Sequence, residues 1–224
     1  MILHTLFPTP VVVHNIQPTE RLVSFFKNLE TNRRFDENLK DENKYRKMYG
    51  SHTQNIQILK KKECSELRTE IMQAALEFSN EIMCYKCKGI ADTLSWLSIK
   101  APGESHIPHT HPNSFISGVY YYEDIPKETP LIFQKGGKST TTFQMIPPFD
   151  VEKSMNSPFA SREYGILPKK GDLVLFPSYL LHYVPMNTLT LNRGGLAINM
   201  MPMYNLGEND HLTMFEYADG LNQY

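Results

Sequence analysis

Glu104-Ser-His-Ile-Pro-His-Thr-His111-Pro-Asn-Ser-Phe-Ile-Ser-Gly-Val-Tyr-Tyr121 decides how this chain is read. Three of the chain's eight histidines, His106, His109 and His111, crowd its start. In an extended backbone alternate side chains point to one face, so His109 and His111 can aim their rings at one point. Pro108 and Pro112 favour extended geometry at the residues they follow. His106 has the opposite parity and reads as a structural or substrate-facing residue. Ser117, Val119 and Tyr121 share the parity of the His109–His111 pair and are expected to face the same cavity.

Working outward, a second decisive stretch is Gly171-Asp-Leu-Val-Leu-Phe-Pro-Ser-Tyr-Leu-Leu-His182, a buried-type strand closed by a proline and followed by a histidine. An H-x-H pair plus one distant histidine can form a facial metal site with open positions, and imidazole suits iron, zinc, copper and nickel alike. Eleven residues later Arg193 interrupts Leu191-Asn-Arg-Gly-Gly-Leu-Ala-Ile-Asn199. A guanidinium inside an apolar strand is expensive unless it meets an anion, and bidentate binding of a carboxylate would justify it. Gly194 and Gly195 beside it would let a ligand approach the backbone. His4, His14, His52 and His211 have no such company and read as ordinary hydrogen-bonded residues.

The rest of the chain supplies the frame. Val11–Val13 suggests an opening strand. Pro18-Thr-Glu20 begins a helix carrying Leu22, Phe25, Phe26 and Leu29. Lys62–Met83 is the clearest helix, with Leu67, Ile71, Ala74, Phe78 and Ile82 on one stripe. Past Gly89 the pattern changes to short apolar runs, at 94–100, 115–122, 131–134, 140–145, 172–176 and 191–201. Helices first and strands afterwards indicate an α+β, mainly β fold, with helices packed on one face of a sheet sandwich. One domain over 1–224 is expected: helical support to about residue 90, a β core over 91–204 and a tail from 205. The charged run 31–50 reads as a loop. It, or the Pro-, Ser- and Met-rich stretch 143–161, could form a lid.

Composition narrows the function classes. The 224 residues carry 23 basic and 24 acidic side chains. Up to Lys100 the count is 15 basic against 12 acidic, and after it 8 against 12. Neither half offers the charge that nucleic acid or an anionic membrane would need. Three cysteines, with one C-x-x-C at Cys84 and Cys87 and no second pair, fit neither a disulfide framework nor a zinc site. The first sixteen residues lack the basic start of a signal peptide, and no run of about 18 apolar residues occurs. A soluble, cytoplasmic protein is expected, with a homodimer left open.

The motifs His109-x-His111 through Tyr121, Phe176 to His182, Arg193 and Asn199 resemble the iron and 2-oxoglutarate dependent oxygenase superfamily. The nearest likeness is to the prolyl-hydroxylase-like branch of oxygenases from marine bacteria and their phages, whose beginning Leu6-Phe-Pro-Thr-Pro10 also resembles. The resemblance implies a double-stranded β-helix (jelly-roll, cupin-like), the cofactors Fe(II) and 2-oxoglutarate, and residence in a bacterial or phage-infected cytoplasm. It implies His109 and His182 as metal ligands and Arg193 and Tyr121 on the distal carboxylate of 2-oxoglutarate, with Ser117 and Asn199 also lining the co-substrate site. It further implies hydroxylation of a peptide, prolyl or otherwise, or of a small molecule by molecular oxygen, with release of succinate and CO2.

One departure stands out. Most of that superfamily has H-x-D or H-x-E, whereas His111 stands here in place of the carboxylate. Either His111 is the third ligand and the site is one negative charge poorer, or it turns away and water or Glu104 takes that position. Two rivals follow. Gly103, five residues and His109-x-His111 match the first half of the pattern of cupin-type dioxygenases, which use no 2-oxoglutarate, but no acid follows between Pro112 and Ser117. A non-catalytic binding module on the same barrel is the other.

Overall fold

The computed structural model describes residues 2, 8–31, 51–52, 56–125, 129–135 and 163–203. The expected strand 140–145, the 31–50 and 143–161 lid candidates beyond Thr31, the tail from 205, His4, His211 and the first two residues of the opening motif, Leu6 and Phe7, lie outside the described residues.

Ten strands pair into two antiparallel sheets among the described residues. They are β1 (Val12–Asn15), β2 (Ser51–His52), β3 (Ile90–Lys100), β4 (His106–His109), β5 (Ile116–Tyr120), β6 (Leu131–Gln134), β7 (Glu163–Ile166), β8 (Asp172–Pro177), β9 (His182–Val184) and β10 (Arg193–Pro202). The larger sheet has the order β1-β8-β5-β10-β3-β2 and the smaller β4-β9-β6-β7. The repeated crossing of the chain between the sheets is that of a jelly-roll.

Alternation along the strands separates two apolar layers. Leu173 and Leu175 of β8, Ile116 and Tyr120 of β5, Leu97 and Ile99 of β3, and Leu196 and Ile198 of β10 join one cluster. That cluster is closed by the helices α1 (Glu20–Thr31) and α2 (Ser65–Glu77), through Leu22, Phe26, Leu67, Ile71 and Ala74. The other face of the same strands, through Val174, Phe176 and Val119, meets Phe133 and Leu131 of β6 and Val184 of β9 between the sheets. Each fully buried aliphatic side chain contributes about 1.5–3 kcal/mol, so a one-residue slip of β8 would exchange both layers and is strongly disfavoured.

Local chemistry explains the element ends. Thr19 caps α1: its hydroxyl accepts the Leu22 amide at 3.2 Å. The helix expected over 62–83 is a 3₁₀ turn at Lys62–Cys64, then α2, then a π turn over Phe78–Ile82 in which the Met83 amide reaches the Phe78 carbonyl. Cys84, in the left-handed region at φ 58°, ends it. Cys84 is exposed and free, and Cys87 is buried against the Ser79 hydroxyl. Gly171 (φ 90°) makes the tight turn into β8, where a Cβ would meet the Gln17 side chain at 2.8 Å. No helix among the described residues is long and apolar enough to cross a membrane.

Candidate metal centre

His109 ends β4, His182 opens β9, and the two are cross-strand partners in the smaller sheet. Strand β4 stops there, and His111 lies just past its end, before the turn at 112–113, where its amide donates to the Ser178 carbonyl at 3.0 Å. One ring nitrogen from each of the three histidines lies within 4.8 Å of the other two. Among the described residues this is the group of histidine, cysteine or carboxylate side chains able to hold a metal ion.

The tautomers follow from the backbone. His109 Nδ1 lies 2.9 Å from the Ile107 carbonyl and His182 Nδ1 lies 2.9 Å from the Leu180 carbonyl. A carbonyl only accepts, so both Nδ1 atoms carry the proton and both Nε2 lone pairs are bare. His182 Nε2 is 3.1 Å from His111 Nε2. Two bonds of about 2.1 Å at right angles separate their nitrogens by about 3.0 Å, so this spacing suits two adjacent ligands of one cation. All three imidazoles are held neutral, as ligands must be. Burial, then the neighbouring His109, pushes His182 down to about 3; burial, then His109, pushes His111 down to about 4 against the hydrogen bond it gives to the Asn199 side chain. Burial also lowers His109.

Aromatic side chains wall the centre. Phe176 lies 4.6 Å and Phe133 6.2 Å from the His182 ring, and Trp96 stacks on His111 at 6.0 Å. Trp96 was not singled out by the sequence reading, although its parity with Ser98 in β3 puts it inside. His106 departs from expectation. A register shift between His106 and His109 cancels the parity argument, and the two rings stack at 4.0 Å. Glu104 is not near the ligand group: its Oε2 accepts the Ala101 amide at 2.9 Å in the turn after β3. The alternative that gave it the third position is withdrawn on that geometry.

Arg193, 3% exposed, opens β10. Its Nε donates to the Thr129 carbonyl at 2.9 Å and one Nη to the Tyr121 hydroxyl at 3.0 Å, with the Tyr121 ring 5.4 Å away. Two of its five N–H bonds are thereby used to orient the guanidinium, leaving a fork for an anion. Tyr120 instead donates to the Ile16 carbonyl, and Tyr122 to Glu30. The glycines next to Arg193 serve a different purpose from the one expected. A Cβ on Gly194 would strike the Tyr122 hydroxyl, and one on Gly195 would lie 2.9 Å from Val119 and 3.4 Å from the Tyr121 ring. They make room for tyrosines, not for a ligand.

Ser117 and Asn199 are register partners. Ser117 Oγ lies 3.3 Å from Asn199 Oδ1 and 2.8 Å from Ser178 Oγ. Asn199 is six residues from Arg193 on one strand, roughly 20 Å of backbone. The four residues expected at the co-substrate therefore divide. Arg193 and Tyr121 form a cationic end, and Ser117 and Asn199 stand beside His111. Lys100, also unread in the sequence, is fully buried at the cationic end, opposite Arg193.

A jelly-roll holding three neutral imidazoles at one point and a buried guanidinium further along is the framework of a non-haem metal oxygenase. Residues 94–199, from β3 to β10 and enclosing every site residue above, match the family described as "Putative 2OG-Fe(II) oxygenase". That match takes in just under half of the chain, and it is a likeness to enzymes that use iron with 2-oxoglutarate. No curated protein matches it in sequence. Solved structures share the fold. SnoK, a non-heme alpha ketoglutarate dependent carbocyclase from nogalamycin biosynthesis, superposes with a TM-score of 0.57 at 15% identity, covering 87% of this chain and 80% of its own. A Pseudomonas putida prolyl-4-hydroxylase gives 0.53 at 13%, covering 85% and 92%. The epimerase SnoN, in complex with Fe3+, alpha ketoglutarate and nogalamycin RO, gives 0.54 at 12%, covering 87% and 79%.

Proposed function

We propose that this chain hydroxylates a C–H bond of a peptide, prolyl or otherwise, or of a small molecule, with iron held by His109, His111 and His182. The observation that carries the reading is the pairing of that neutral histidine cluster with the buried, pre-oriented Arg193. When bound, iron and 2-oxoglutarate supply the oxidation: O2 and the 2-oxoacid give succinate and CO2, and one oxygen atom enters the substrate.

The chain's own residues prepare that reaction. The Ile107 and Leu180 carbonyls keep the Nδ1 protons of His109 and His182 in place, so Nε2 is presented without reorganisation. Asn199, braced by Ser117, orients His111. Arg193 and Tyr121 grip the distal carboxylate of the co-substrate, which fixes the other end of the molecule toward the metal. Phe133 and Phe176 keep water from His182. The fold is shared with a carbocyclase and an epimerase as well as a prolyl-4-hydroxylase, and a fold alone does not choose among them. The choice of hydroxylation rests on the motif likeness to prolyl hydroxylases.

Oxygen-dependent succinate formation by the iron-loaded protein, assayed with candidate peptides and small metabolites, tests the reading. Product carrying one new oxygen per succinate is expected; oxygen consumption without succinate overturns it. The second outcome is what the three-histidine dioxygenase reading expects. That reading draws on one observation, His111 in the ligand group where a carboxylate is usual.

A further inference from the structure

The cationic end of the site holds a second buried charge. Lys100 closes β3 and is the direct cross-strand partner of Arg193. Residues opposite one another on antiparallel strands project from the same face, so the two cationic side chains enter one space from neighbouring strands. Lys100 is 0% exposed. Its ammonium donates to the Ser98 hydroxyl at 2.7 Å, and none of the ion pairs among the described residues includes it. The nearby acid, Glu104, spends Oε2 on the Ala101 amide.

An ammonium withdrawn from water without a paired anion is costly, and a guanidinium beside it adds repulsion. The strain shows in its acidity: burial first, then Arg193, pushes Lys100 down to about 7, with Glu104 only partly opposing. A single anion placed between them relieves both charges at once. We propose that Lys100 is a second grip on the distal carboxylate of the co-substrate, so that two cations on adjacent strands select a dianionic 2-oxoacid. The inference rests on the reading of Arg193 and Tyr121 as the carboxylate site.

The test uses Fe(II)-loaded protein without oxygen, titrated with 2-oxoglutarate and with 2-oxopentanoate, which lacks only the second carboxylate. Binding is followed by the visible charge-transfer band. Lys100→Met is expected to lose about 10- to 100-fold in affinity for 2-oxoglutarate, the worth of a charge-assisted hydrogen bond in a dry site, and to keep its affinity for 2-oxopentanoate. Equal losses for both acids, or no loss for either, overturn the proposal. A measurement on the unaltered protein guards against a variant that fails to fold. At pH 8, calorimetry in two buffers of different ionisation heat should register uptake of about one proton with 2-oxoglutarate and none with 2-oxopentanoate, because an anion restores the proton affinity of the ammonium. The other groups that interact with Lys100 are Arg193, which stays charged, Glu104 from the turn and His109, which the Lys100 charge helps to keep neutral. Absence of uptake overturns the role of Lys100 alone. An unaltered protein that gives no band with either acid overturns the co-substrate reading itself.

Discussion

Tyr121→Phe isolates the contribution of one hydroxyl to the proposed carboxylate site. The ring stays, with its packing beside Val119 and under the Arg193 guanidinium, and only the oxygen 3.0 Å from the Arg193 Nη is lost. Both partners are almost wholly buried, so the abandoned N–H is not compensated by water. A buried hydrogen bond to a charged group contributes about 1.5–3 kcal/mol. In a domain of this size each kcal/mol moves the melting temperature by about 2–4 °C. The metal-free variant should therefore melt roughly 3–12 °C lower. With the guanidinium less firmly aimed and the phenolic donor gone, 2-oxoglutarate should bind about tenfold more weakly to the iron-loaded protein, while iron affinity is unchanged. Melting curves and an anaerobic 2-oxoglutarate titration measure both. A variant that melts and binds like the parent would refute the reasoning, as would one that loses iron and co-substrate affinity together.

Three further outcomes follow from the same geometry. His182 and His111 are pushed down to about 3 and 4 in the fold but protonate near 6.5 once unfolded, so the unfolded chain binds more protons between those values. Stability of the metal-free protein should be complete above about pH 7 and fall as pH drops from 6.5 toward 4; in melts across that range His182→Gln should show a shallower slope, and an unchanged slope would contradict the assignment. Trp96 is the single tryptophan and stacks on His111, so Fe(II) or Co(II) should quench the intrinsic fluorescence with one saturating step; full emission in the presence of bound metal would place the ion elsewhere. Gly194→Ala drives a methyl group onto the Tyr122 hydroxyl and to 2.8 Å from Glu30 Oε1. Such overpacking should cost about 1–3 kcal/mol in denaturant unfolding.

The strands were legible where burial repeats along them. Leu131–Gln134 falls where its apolar run does, and Asp172–Pro177 and Arg193–Pro202 extend their expected ranges by a residue or begin two later. β7 and β9 were not foreseen: Glu163–Ile166 is mostly exposed at a sheet edge, and His182–Val184 is three residues long, so neither builds a periodic signal. Parity brings His109 and His111 to one point and the structure gathers them there, although β4 ends at His109 and the amide of His111 is tied to Ser178. The same parity misplaced His106, because a bulge is invisible to counting by twos. Lys100 was readable by the argument applied to Arg193, a charge inside an apolar strand; its place at the end of Leu94–Lys100 made it look like a polar terminus. The glycines were misread because the partner that needs a glycine's space lies on another strand.

His109 and His182 each lean on a main-chain carbonyl two residues earlier, Ile107 within β4 and Leu180 in the turn before β9. Their aim is thus written into main chain and borrows nothing from neighbouring side chains. Lining residues away from His111 and its Asn199–Ser117 support can therefore be exchanged without disturbing the aim of those two rings. This separability recommends the lining, and not the paired strands β4 and β9, as the place to begin engineering a new specificity.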